Sequence, residues 1–164
     1  MRIVLQIILV MLSLTCVTLA QEKRLPRFED YPAEVFQGTP APAKIVGPLA
    51  RSYRTRLREG AKEGPNFAGH YTVVYWGCGS DCRIFAVVDA KTGKVYFPPD
   101  IRAISRVPSQ EEEPIQYRDN SRLLVIAGEV WPGGGQWRRE ATYFYEWRGG
   151  GLRLIRRTPL KKYG

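Results

Sequence analysis

From Tyr71 onward the chain is written in a period of two: short runs dominated by Val, Ile, Tyr, Phe and Trp, separated by glycine-rich turns. That spacing constrains the fold more than any other feature. Successive residues of a strand point to opposite faces, so a two-residue apolar rhythm broken by glycine is the signature of antiparallel sheet joined by tight turns. Residues 71–77 (YTVVYWG) and 83–89 (RIFAVVD) flank Cys78-Gly79-Ser80-Asp81-Cys82 and read as one hairpin. A second turn through residues 89–94 leads into residues 95–97, with Gly93 free to adopt the positive φ of a type I turn with a bulge. Residues 98–121 hold four prolines and the run Glu111, Glu112, Glu113, which predicts a long loop with room for one short strand. Residues 123–130 read as a central strand, and residues 141–147 and 152–157 as a last hairpin turned by Gly149, Gly150 and Gly151. About six strands result.

Before Tyr71 the rhythm is different. Leu49, Tyr53, Leu57 and Ala61 recur every four residues while Arg51, Arg54, Arg56 and Arg58 fall elsewhere on the wheel, which predicts one amphipathic helix over 49–62. Gly64-Pro65 ends it, glycine supplying a left-handed cap and proline refusing the next turn. Residues 21–48 carry prolines at 26, 32, 40, 42 and 48 and no sustained apolar period, so they read as an extended lead-in that packs in part on the domain. The expected fold is α+β, mainly β: an antiparallel sheet with one amphipathic helix packed on it, a single domain over 49–164.

The first twenty residues, MRIVLQIILVMLSLTCVTLA, carry one charge, Arg2, ahead of an apolar run, with Thr18 and Ala20 at the small-residue positions of a cleavage site before Gln21. This is the pattern of a secretory leader over 1–20; an uncleaved membrane anchor is the alternative, since about eighteen apolar residues can just span a bilayer. Acylation of Cys16 fits less well, because Thr15 stands where a lipoprotein leader has Gly, Ala or Ser. Export predicts a periplasmic or secreted protein that meets the membrane only through its leader. Cleavage leaves 144 residues, enough for a core without a metal, and a net charge reduced only from +9 to +8. It also leaves two cysteines, Cys78 and Cys82, in an oxidising compartment, where they should pair across the mouth of the first hairpin. A five-residue loop yields about 2 kcal/mol on the chain-entropy estimate, so the bridge shapes a turn rather than stapling a core.

Gly64-Pro65-Asn66-Phe67-Ala68-Gly69-His70-Tyr71, then Trp76-Gly77-Cys78-Gly79 with Cys82, then Val88-Asp89-Ala90-Lys91-Thr92-Gly93 together resemble a group of small secreted proteins of Gram-negative bacteria. The matching stretch runs from about Tyr53 to Tyr96, with an echo at Tyr145, Trp147 and Gly149. The resemblance marks a family and implies no activity.

His70 is the only histidine, and a catalytic Cys-His pair would need a free thiol that the disulfide removes. Residues 79–84 are only remotely similar to the cysteine motif of L,D-transpeptidases: the glycine before the cysteine and a second histidine are missing. Zinc held by His70, Cys78 and Cys82 lacks the usual fourth ligand, so neither a metal nor another cofactor is expected. More informative are Gly79, Ser80 and Asp81, a turn pinned at both ends that offers a rigid exposed anchor at little entropic cost. Trp76, Trp131 and Trp137 are candidate binding rings near it. Trp131 and Trp137 stand close to Tyr143, Tyr145 and Trp147, which alternate on one strand face; such a row would stack on sugar faces if exposed, but core packing is the favoured reading because Phe144 on the opposite face implies that both sides are covered. Arg51, Arg54, Arg56 and Arg58 with the tail residues Arg156, Arg157, Lys161 and Lys162 make a solvated basic surface; nucleic acid is not an expected partner of an exported protein. The sequence therefore points to a non-enzymatic binding module for an envelope protein or wall glycan. The competing expectation is a wall-active hydrolase or transferase using His70 and Asp81 as acid and base, which requires the two to converge.

Overall fold

The computed structural model describes residues 24–105, 113–133 and 135–160. The leader over 1–20, Glu111, Glu112, Lys161 and Lys162 lie outside the described residues. Among the described residues the sheet alternation read from the sequence is realised in eight antiparallel strands: β1 (Tyr71–Gly79), β2 (Cys82–Asp89), β3 (Val95–Tyr96), β4 (Ala103–Ser105), β5 (Ile115–Arg118), β6 (Ser121–Trp131), β7 (Arg138–Arg148) and β8 (Gly151–Thr158). The fold is α+β and mainly β. The strands run in the order β1-β2-β4-β6-β7-β8, with β3 flanking β2 and β5 flanking β6. Two of the eight, β4 and β5, arise in the segment where one short strand was expected. β4 is only three residues long, yet it pairs with Cys82 and Arg83 on one side and with Glu129, Val130 and Trp131 on the other, so it joins the β1-β2 hairpin to the β6-β7-β8 meander.

The sheet bends about that junction and closes a core on its inner face. Phe67, Tyr71, Val73, Phe85 and Val87 from one end pack with Leu124, Ile126, Tyr143, Tyr145 and Trp147 from the other. Trp147 is the hub: its ring meets Tyr71 at 5.1 Å, Tyr96 at 5.6 Å and Phe67 at 5.9 Å, each edge to face, the arrangement ring quadrupoles favour. Tyr143, Tyr145 and Trp147 are thus core, as their alternation implied. Alternate residues serve smaller outer clusters: Val74, Trp76, Ala86 and Val88 meet the helical segment, and Leu123, Val125 and Phe144 meet Phe28 and Tyr31.

The helical segment corrects the sequence reading. In place of one helix there are two, α1 (Gly47–Ser52) and α2 (Arg54–Lys62), broken at Tyr53, which has φ −112° and ψ 19°. Residues four apart drift by about 40° round an α-helix, so a straight helix would wind its apolar stripe away from the sheet. The break resets the stripe: Ala50, Leu57 and Ala61 are buried, Leu49 is left exposed, and the Tyr53 ring turns onto Trp76 at 4.7 Å. Gly64 ends the segment at φ +85°, as expected.

The lead-in is a strap laid over the sheet. Its backbone amides at Ala33, Phe36, Ala41 and Lys44 donate to carbonyls of Asn120, Gly69, Ala90 and Gly93. The Asn66-to-Tyr71 motif is the joint that receives it. Asn66 bridges the amide and carbonyl of Val73 with its side chain, Ala68 sits at φ +47°, and a Cβ on Gly69 would stand 2.3 Å from the Glu34 carbonyl oxygen.

Candidate functional site

The β1-β2 turn does not place the cysteines opposite one another. Cys82 pairs with Gly79, and Cys78 occupies a bulge between Gly77 and Gly79. Gly79 adopts φ +153°, which lets the strand carry the extra residue. The bulge brings the two Cα atoms to 5.0 Å and the Cys78–Cys82 disulfide closes across it. The turn residues Gly79, Ser80 and Asp81 are exposed, as expected of a pinned tip.

Beside this tip lies a cleft of about 750 Å³, within the range of small-ligand sites. Four stretches of chain that are distant in sequence build it: Leu49 and Tyr53 from the helical segment, Trp76, Cys78, Cys82 and Ile84 from the hairpin, residues 97–99 with 101–103, and Trp131, Pro132, Gly133 and Trp137 around the loop after β6. Rings form much of the wall. Tyr53 leans on Trp76 and lies 6.4 Å from Phe97, while Trp131 and Trp137 lie 6.1 Å apart with their planes inclined by 32°. Trp131 is fixed by its indole N–H donating to the Gly135 carbonyl at 3.0 Å. Trp137 is 43% exposed, and Trp76 is nearly buried, its Nε1 making no hydrogen bond among the described residues. Pro98, Pro99 and Pro132 add rigid apolar surface. The charged side chain in the lining is Arg102, whose stem lies against Gly133, where φ of +77° and the absence of a Cβ admit it.

The three tryptophans singled out from sequence therefore converge with the disulfide in one cleft, and Gly79, Ser80 and Asp81 stand on the adjoining turn. Sequence reasoning missed Tyr53, Phe97, the two prolines after it and Arg102. A continuous helix would make Tyr53 one more position of its apolar stripe. The Phe97-Pro98-Pro99 run was visible as an aromatic followed by two rigid residues, but only the fold shows which surface it faces.

His70 and Asp81 do not converge. They lie at opposite ends of β1, whose nine residues span roughly 25 Å at about 3.3 Å per residue. The His70 carbonyl accepts the Ala90 amide, its ring rests 4.2 Å from that of Tyr71, and Nε2 stands 3.9 Å from Asp89 Oδ1. Partial burial and the nearby Lys91 push its pKa below 6.5, against the pull of Asp89. Asp89 is itself committed to the following turn, accepting from the Lys91 amide at 2.8 Å and the Thr92 hydroxyl at 2.8 Å. Among the described residues no three His, Cys, Asp or Glu side chains group in a way that could hold a metal ion.

Compared with family models, with curated proteins and with solved structures, the chain matches none.

Proposed function

We propose that the chain is an exported binding module of the bacterial envelope whose aromatic cleft holds a wall glycan. The observation that carries this reading is the convergence of Trp76, Trp131 and Trp137 beside the Cys78–Cys82 turn, with Trp137 substantially exposed. Flat rings stack on the apolar faces of pyranoses, and a rigid open cleft binds without a large ordering cost. The lining supplies rings, prolines, a disulfide and one guanidinium, with neither carboxylate nor imidazole among the described residues, which favours holding a ligand over acid-base work on it. The leader-like segment over 1–20 and the resemblance to small secreted Gram-negative proteins support the compartment in which such a ligand occurs.

Co-sedimentation of the mature chain with purified peptidoglycan sacculi is the direct test. The parent chain should sediment with sacculi, and Trp137→Ala should lower the bound fraction about tenfold, the loss of one base-like or sugar-like stacking contact being of that order. Retention of neither protein, or equal retention of both, would overturn the reading.

A further inference from the structure

Trp137 lines two depressions. On one side is the aromatic cleft; on the other is a groove of about 490 Å³ bounded by Arg138, Arg139, Arg157, Asp100, Leu154 and the edges of Tyr143 and Tyr145. The shared indole makes them neighbouring sections of one surface, apolar at the first and cationic at the second. The arrangement follows from the sheet. Arg138 and Arg139 open β7 immediately after Trp137, and Arg157 on β8 pairs in register with Tyr143. The Arg157 guanidinium lies 5.7 Å from the Tyr143 ring centroid, and Arg138 donates to the Tyr145 hydroxyl at 3.4 Å. One guanidinium is thus held over a ring and a second is tied to a phenol hydroxyl, and Arg102 joins Trp137 in the lining of the cleft. Against these four cations the two linings place one carboxylate, Asp100, among the described residues.

We infer that the cleft and groove form one extended site for an anionic polysaccharide: sugar rings lie on Trp131 and Trp137, and a carboxylate or phosphate on the same chain meets Arg138 and Arg157. This rests on the glycan reading above and narrows it to charged glycans. Charge complementarity selects the occupant. A guanidinium offers a planar fork of donors matched to carboxylate and phosphate oxygens, and one already stacked on a ring loses less freedom when it binds. A neutral glycan would use the indoles alone and leave the groove without a role. An acidic peptide would be drawn by the arginines and would gain less from the inclined indole pair, which presents flat faces to a rigid ring.

The test uses soluble probes and the tryptophan fluorescence of the mature chain: alginate oligomers, which carry a carboxylate on every sugar, and neutral dextran oligomers of equal length. Alginate should bind about tenfold more tightly than dextran at low salt, and that advantage should shrink as salt rises while dextran binding stays level. Arg138→Ala with Arg157→Ala should bring the two affinities together, whereas Arg56→Ala with Arg58→Ala, which removes the same charge from the exposed face of α2, should keep them apart. Equal affinities in the parent chain, tighter binding of a poly-glutamate peptide than of alginate, or an equal loss in both double variants would overturn the inference. If sacculi are retained while the two oligomers bind alike, only the charged-glycan inference fails. If sacculi and both oligomers fail to bind, the glycan reading fails with it.

Discussion

At the scale of single residues, His70 packs against Tyr71 beside Asp89 and carries a measurable signature. It is the only histidine in the chain, so its imidazole C–H resonance can be followed through a pH titration without assignment. Burial and Lys91 hold its pKa below the usual 6.5, and the titration midpoint should fall below that value; a midpoint at or above it would contradict the packing described. The sign for stability follows. A depressed folded pKa means the folded state binds fewer protons than the unfolded chain, so the contribution of the neutral ring is complete above about 6.5 and is lost as pH falls from there toward the folded value. Gly69 makes a second residue-scale case. Its φ of +86° and the 2.3 Å approach of the Glu34 carbonyl to a would-be Cβ mean that Gly69→Ala must strain the joint or lift the strap, at about 1 to 3 kcal/mol in denaturant unfolding. A change within 0.5 kcal/mol would show that the strap is not seated there. These residues were visible as a motif in the sequence, and the motif carried no chemistry. Its meaning is steric and depends on a partner, residues 33–36, that lies some 35 positions upstream.

At the scale of elements, the β-hairpins were legible because alternation and turn residues are local. Gly93 adopts φ +75° and its amide donates to the Asp89 carbonyl at 2.7 Å, the turn that its position implied. The elements that escaped were those settled by tertiary contact. β4 and β5 are too short to show a period, and the break between α1 and α2 answers to Trp76 and Phe97, neither of which is near it in sequence. The disulfide stands between these cases. The pairing of Cys78 with Cys82 could be read from the even cysteine count that an expected loss of the leader would leave, but the bulge that seats Cys78 could not. Because the bridge joins cysteines only four positions apart, Cys78→Ser with Cys82→Ser should lower the unfolding free energy by about 2 kcal/mol while leaving the fold intact by circular dichroism. It should also change the fluorescence of the cleft, since both cysteines line it beside Trp76. A loss above about 4 kcal/mol would make the bridge a staple of the whole domain instead of a support for its tip.

The whole molecule is assembled from segments that meet only after folding, and its electrostatics show the same. Glu146 is nearly buried on β7, where its carboxylate lies 2.8 Å from Arg148 of the same strand, 3.6 Å from Arg122 of β6 and 3.4 Å from Arg153 of β8. Arg122 also donates to the Pro32 carbonyl of the strap. One carboxylate therefore ties three strands and, through Arg122, the lead-in. Burial works to raise its pKa, but the hydrogen bond from Arg148 and the charges of all three arginines outweigh it and hold the pKa below 4.5. The folded state then keeps this group ionised at a pH where the unfolded chain would protonate it. Its contribution is complete above about pH 4.5 and is lost as pH falls through the folded pKa. Because the three arginines are 41–58% exposed, solvent screens the attraction, and Glu146→Gln should cost only about 1 to 2 kcal/mol at pH 7. The cost should shrink steadily in urea unfolding curves recorded below pH 4.5, until parent and variant coincide. A difference that persisted unchanged into acid would mean that the substitution acts through packing, and that the sheet and strap are held together without this charge.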